Sequence, residues 1–231
     1  MFKLFLKVLK IAFLFFLLSS VLAVFYYKWM PVKVTPLMVI RSVQHVVKGE
    51  APVVHHQWVP LDEMSRYMPV AVMASEDQQF LHHHGFDFGA IQDAAVDRLK
   101  GHARRGGSTI SQQTAKNVFL WPSRTWVRKG LEAYFTVLIE LLWSKERIME
   151  VYLNSIEMGT DIYGVEAVAK QNFGCSASEL RRGDCALIAA TLPNPRRFSS
   201  YKPSVYMRKR QREIEQQMKF IPLISDRSKD K

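Results

Sequence analysis

Residues 104–117 read RRGGSTISQQTAKN, and 76–87 upstream read EDQQFLHHHGFD. In the first stretch two glycines precede a Thr109-x-x-Gln112 capping box. That pattern predicts a glycine-rich loop opening onto a helix, with backbone N–H groups and the positive end of the helix dipole turned outward. Gln113 and Lys116 project from the following turn, so the arrangement suits a phosphate or diphosphate. The G-x-x-x-x-G-K-[ST] spacing of a nucleotide-binding loop is absent. A surface loop before a well-capped helix explains the same residues without any ligand.

In the second stretch, continuous helix up to Gly85 would place Glu76, Phe80 and His83 on one face. A carboxylate beside aromatic surface and a second acid holds its proton more tightly, which suits a general base. On local sequence alone, an ordinary helix-terminal carboxylate is the better account of Glu76. Consecutive histidines 82–84 point in three directions and do not converge on a metal. A third cluster, Arg128-Lys129-Gly130-Leu131-Glu132, pairs Arg128 with Glu132 one turn on. The apolar run from Ala133 to Trp143 suggests that this charged turn faces a cleft. Lys145–Asn154 reads as a structural amphipathic helix.

Outward from these clusters, helical signals dominate from Leu61. Asp62 is expected to cap a segment to Met68, and Pro69 to start the next, leading to Glu76. Phe88–Leu99, a long buried 126–143, 145–154 capped by Ser144, 163–173, 184–192 and 204–220 complete the set. Strand-like alternation is scarce and no repeat is visible, so the domain is expected to be mainly α. Ser199-x-x-Lys202 lacks the K-T-G that would make it a penicillin-binding signature. Cys175 and Cys185 fit no zinc spacing, and either a disulfide or two free thiols is compatible with them.

The 231 residues are 48% hydrophobic and carry a formal charge of +11, which excludes a disordered chain and implies an acidic partner. Residues 11–27 form a charge-free apolar run long enough to span a bilayer, and Tyr26, Tyr27 and Trp29 form an aromatic belt at its far end, so the spanning segment is expected over 11–29. Lys3, Lys7 and Lys10 precede it, which keeps residues 1–10 in the cytoplasm and exports the rest. Val21-Leu22-Ala23 could satisfy a signal-peptide cleavage site, but the apolar stretch continues past it into aromatics, favouring retention. Residues 30–60, with four prolines, are expected to be a connector holding one short helix or strand near 37–47. The domain then covers 61–231. Export demotes a nucleic-acid partner despite the charge.

Taken in order, these segments resemble glycosyltransferase family 51, the peptidoglycan transglycosylases, and within it the monofunctional members. EDQQFLHHHGFD is similar to the family's EDxxFxxHxGxD, and GGSTISQQTAKN to its GGSTITQQxxKN, with Ser111 where threonine is usual. RKGLE, KERIMEVYLN with GTDIYGVEAVA, and ALIAATLPNP followed by KP resemble the remaining segments. Thr114 and Thr136 stand where aliphatic residues are common, and Asn172 replaces a usual aromatic.

The resemblance implies a lysozyme-like fold behind one N-terminal transmembrane helix at the bacterial inner membrane. It implies lipid II and the growing lipid-linked strand as substrates, Glu76 as catalytic base, and Asp77 and His83 as its supports. Ser108, Thr109, Gln113, Lys116, Asn117, Arg128 and Glu132 would line the donor site. Glu132 would either orient the cations or hold a divalent metal, Mg2+ or Mn2+, on the substrate diphosphate. No organic cofactor is expected. Membrane lipids and other cell-wall synthesis and division proteins are the expected further partners. The rivals are a lytic, glycan-cleaving enzyme, which would not need the phosphate-suited cluster, and a non-catalytic scaffold, against which the intact charged residues argue.

Overall fold

The structure, a computed structural model, describes residues 1–89, 92, 96 and 107–224. The helix expected over Phe88–Leu99 lies largely outside them. Helix α1, Phe2–Tyr27, starts well before the expected spanning segment. Lys3, Lys7 and Lys10 sit on its first turns, because lysine is a good helix former and a change of solvent does not end a helix. The chain then reaches α2, Pro36–Val47, whose proline occupies the first turn and whose Thr35 hydroxyl accepts from Met38 N–H.

Residues 30–60 are more than a connector. Val32 and Met38 are buried, and β1, His55–His56, pairs in parallel with β3, Ile162–Tyr163. β2, Glu157–Gly159, lies antiparallel on the other side of β3, which completes a small sheet among the described residues. Asn154, fully buried, pins the same segment: its side chain accepts from Val59 N–H and donates to Val59 C=O.

The expected break at Pro69 falls elsewhere. Leu61–Glu63 forms one 3-10 turn, and α3 runs Tyr67–Glu76 with Pro69 inside its first turn, where a missing N–H costs nothing. α4 is Ile110–Phe119, α5 Trp126–Leu142 and α6 Lys145–Ser155. Thr125 and Ser144 cap the last two, each hydroxyl accepting from an N–H three residues on. The expected 163–173 helix divides into α7, Val165–Val168, and a wider π-type turn over Ala169–Phe173. α8, Arg182–Ala189, and α9, Val205–Gln217, follow.

The core gathers α3, α4, α6 and α8, with Tyr152, Tyr163 and Phe80 among its fully buried side chains. α5 is not the wholly buried helix expected: Glu132, Phe135, Thr136 and Ile139 are buried, while Val137 and Leu141 are exposed. The family-atypical threonines fold their hydroxyls onto their own helices, Thr114 onto Ile110 C=O and Thr136 onto Glu132 C=O. Asn172 donates to the Ser200 hydroxyl, and Cys175 and Cys185 are free thiols.

α1 is fastened to the domain rather than merely leading to it. Ser20 hydrogen-bonds the Tyr134 hydroxyl at 2.7 Å, and Phe16 packs on the same ring. The Trp143 indole donates to Val24 C=O at 2.8 Å. Arg147 donates to Tyr27 C=O and Met30 C=O, satisfying carbonyls that a helix end leaves without partners. One apolar helix of this length is a candidate membrane anchor.

Candidate active site

Glu76 is the last residue of α3. The helix does not continue through Gly85 as its sequence suggests, because Asp77 adopts extended backbone and its carboxylate turns away to a distant partner. Asp77 Oδ2 accepts from Ile110 N–H at 2.9 Å, at the start of α4, and both its oxygens lie within 3.0 Å of His83 Nε2. His83 Nδ1 accepts in turn from Gly85 N–H, and Thr109 Oγ1 donates to Gly85 C=O. Gly85 is at φ +90, where a Cβ would also meet the Thr136 methyl at 2.8 Å, so both conformation and space require glycine. The loop 77–85 is therefore folded back on α4 and α5, and His83 supports Asp77 instead of sharing a helical face with Glu76.

This geometry corrects the expected anion site. The capping box is present, but the N-terminus of α4 is already used: Ile110 N–H serves Asp77, Gln112 N–H serves the Thr109 hydroxyl, and Thr109 N–H serves the Gln112 amide. An internal carboxylate thus occupies the positive dipole end that was expected to meet a substrate phosphate. Thr109 is buried and acts as a cap. Arg104, Arg105 and Gly106 of the expected loop lie outside the described residues; among those described, α4 and α5 offer an anion their side-chain charge.

Gln113, Lys116 and Asn117 share one face of α4. The Gln113 amide donates to Glu76 Oε2 at 3.1 Å, while its oxygen accepts from the Tyr152 hydroxyl at 3.2 Å. Gln113 therefore orients Glu76, and Tyr152 orients Gln113. Burial raises the Glu76 carboxyl above its ordinary value, against the lowering effect of the Gln113 and Ser75 hydrogen bonds and the charge of Arg210. Asp77 adds to the rise.

Lys116 and Asn117, directly before the buried Val118, are half-buried. Burial lowers the Lys116 ammonium from its usual range; Glu132 opposes that, and Arg128 and Lys129 reinforce it. Glu76 is close enough to contribute as well, so Glu76 and the cations share one electrostatic site. Glu132 is buried, with one oxygen bonded to Arg128 and the other to Lys129. Lys129 Nζ also lies 3.5 Å from the Ser108 hydroxyl. The turn expected to face a cleft thus carries a three-membered ion cluster, in which Glu132 and Arg128 are largely buried and Lys129 is half-exposed, so that removing Arg128 leaves buried charge uncompensated.

Among the described residues, no three His, Cys, Asp or Glu side chains gather as a metal site. Glu132, the candidate metal holder, has both oxygens committed to cations and does not fit that role. Sequence reasoning missed Lys129 and Tyr152. Lys129 stands beside Arg128 in the motif already singled out, and Tyr152 lies in a stretch read as structural.

Burial of Glu76 has a consequence for stability. A raised folded-state pKa means stability that is present below the unfolded value near 4.5 and lost as pH rises through the folded value. Glu76→Gln removes the ionisation and is expected to unfold at a higher temperature than wild type at pH 7, with the gap closing near pH 4. Thermal melts across that range check it; equal gaps at both pH values would contradict the burial argument.

Comparison with known proteins gives the family. Residues 44–219 match the family described as transglycosylase. A protein of Bacteroides thetaiotaomicron called biosynthetic peptidoglycan transglycosylase is 60% identical over 90% of this chain and 84% of its own. Proteins of the same name from Bdellovibrio bacteriovorus and Caulobacter vibrioides are 54% and 52% identical, over 88% and 87% of this chain and 81% and 86% of theirs. The mainly helical domain is the lysozyme-like fold of that family. With a match over this much of its length, the chain belongs to the transglycosylase family.

Proposed function

We propose that this peptidoglycan glycosyltransferase joins lipid II units into glycan strands, with Glu76 as general base and Lys116, Arg128 and Lys129 receiving the diphosphate. The observation that carries the reading is the Glu76 carboxylate, buried at a helix end, aimed by Gln113 and coupled to the cation cluster. The acceptor sugar's 4-hydroxyl gives its proton to Glu76 as its oxygen attacks the donor's anomeric carbon. The bond from that carbon to the diphosphate breaks, and polyprenyl diphosphate leaves. In-line displacement inverts the anomeric centre. A glycosidase must protonate a poor alkoxide leaving group; a diphosphate leaves as an anion, so neutralisation by cations replaces a general acid. Glu132 holds Arg128 and Lys129 in place and is a positioning residue. A divalent cation assisting the reaction would be carried by the diphosphate, not by Glu132.

The anchor belongs to the same reading, with α1 spanning the inner membrane, its N-terminus cytoplasmic and the catalytic domain outside. Tyr134 meets Ser20 and Phe16, seven and eleven residues before Tyr27, hence about 10–16 Å down the helix axis from the aromatic end. Trp143 meets Val24, about 5 Å down. Between those two contacts α5 exposes Val137 at 45% and Leu141 at 75%. This stretch of α5 is immersed in the outer leaflet beside α1, where those side chains cost nothing.

Purified protein incubated with labelled lipid II is expected to yield a ladder of glycan chains, absent with Glu76→Gln. The acid limb of kcat/KM should lie above the ordinary glutamate value, since only ionised Glu76 accepts a proton. Lipid II bound by folded wild type without polymer would instead favour a scaffold, and soluble muropeptides released from sacculi a lytic enzyme. For the immersed face, Val137→Glu with Leu141→Glu should slow polymerisation of long-tailed substrate in vesicles far more than of short-tailed substrate in detergent. Equal slowing of both would overturn it.

A further inference from the structure

Glu140 of α5 and Lys145 of α6 form an ion pair at 2.7 Å with only 7% and 18% of their side chains exposed. Neither belongs to the cation cluster or contacts Glu76. Burying two charges seldom adds stability over a well-packed apolar pair, so its position calls for another reason. Lys145 Nζ stands 4.6 Å from the centre of the Phe80 ring, a cation–π contact. Phe80 is fully buried in the middle of the 77–85 loop, edge-on to His83 at 6.2 Å. Glu140 Oε1 also accepts from the Ser111 hydroxyl in the first turn of α4. Threonine, usual there in the family, would bring the same hydroxyl. The Glu140 Cγ lies 3.1 Å from where a Cβ on Gly85 would stand, so it backs the far end of the loop.

We propose that Glu140 and Lys145 are positioning residues for the catalytic base, holding the Phe80 and Gly85 ends of the 77–85 loop so that Glu76 keeps its place beside Gln113. The inference rests on Glu76 being the base. The pair reaches the base through a short path. Phe80 N–H donates to Asp77 C=O at 3.2 Å, and Asp77 directly follows Glu76. A loop released at Phe80 shifts Asp77 on Ile110, turns the Glu76 carboxylate from Gln113 and lets water reach it. The cations that bind the diphosphate sit on α4 and α5 and are left in place, so binding and chemistry separate.

The test is lipid II polymerisation by the full-length protein with Lys145→Met, Glu140→Gln, their double variant and Lys145→Arg, beside Glu76→Gln. Lys145→Met is expected to lower kcat on the order of tenfold to a hundredfold, as a misplaced reacting group does. KM should stay within about twofold, and the acid limb of kcat/KM should move to lower pH as Glu76 becomes solvated. The double variant should lose no more than the worse single one, because the two act as a unit. Lys145→Arg, which keeps charge and ring contact, should recover part of kcat. Unchanged kcat, or a loss that follows only a lower melting temperature with the acid limb unmoved, would overturn the positioning role while leaving the base assignment intact. Polymer formation by Glu76→Gln would remove the base assignment itself.

Discussion

The Asp77 carboxylate is the interaction on which the site depends. It is buried, with 2% of its side chain exposed, and a carboxylate so placed is tolerable only with strong partners. It finds them in the Ile110 N–H and in His83. By turning toward them it ends α3 at Glu76 and gives that carboxylate its position at a helix terminus. It also sets where α4 begins relative to α3, and α4 carries Gln113 and Lys116. The distance from Glu76 to the cations is therefore determined by a bond in which neither takes part. Loss of the Asp77 carboxylate would leave a helix N–H and an imidazole without their acceptor and release the loop between them.

Electrostatic preparation of the donor side works by a similar economy. Lys116, Arg128 and Lys129 would repel one another in a partly buried site; Glu132 bonds the latter two and favours the charged form of Lys116. The cluster keeps a net positive charge without a diffuse cloud of mobile lysines. On the proposed function, an arriving diphosphate would meet cations already oriented, leaving little reorganisation for the moment of bond breaking. Burial that raises Glu76 acts in the opposite sense on Lys116, and the Glu76 charge opposes part of that lowering.

What the sequence disclosed is what local chemistry controls. Thr109 and Ser144 each cap a helix where the sequence placed them, because the acceptor and the N–H it serves are three residues apart. The apolar run of α1 and the residues of the two main clusters were readable for the same reason. The end of α3 was not. EDQQFLHHH is compatible with helix, and what stops it is a contact with Ile110 far along the chain. The use of the α4 N-terminus by Asp77 escaped prediction equally, since an empty and an occupied helix end have the same sequence. Two-residue strands such as β1 and β3 carry no periodicity to detect, so residues 30–60 looked like a connector. Tyr152 and Lys145 were hidden in a stretch whose pattern spoke only of packing.

On the proposed reading, α5 serves two solvents. Arg128, Glu132, Thr136 and Glu140 recur at four-residue steps and face the catalytic side, while Tyr134, Val137, Leu138 and Leu141 recur on the side of α1. On the proposed reading, the diphosphate site and the lipid are then separated by no more than one helix diameter, about 10–12 Å. A polyprenyl substrate can present its diphosphate to Arg128 with its tail still in the bilayer. Were the site raised higher, each methylene drawn out of the lipid would cost about 0.8 kcal/mol, and a few isoprene units would consume the binding energy that the cations supply. The Ser20–Tyr134 and Val24–Trp143 contacts fix that height. The anchor is thus a part of the donor site's geometry, acting through the same helix that holds Glu132.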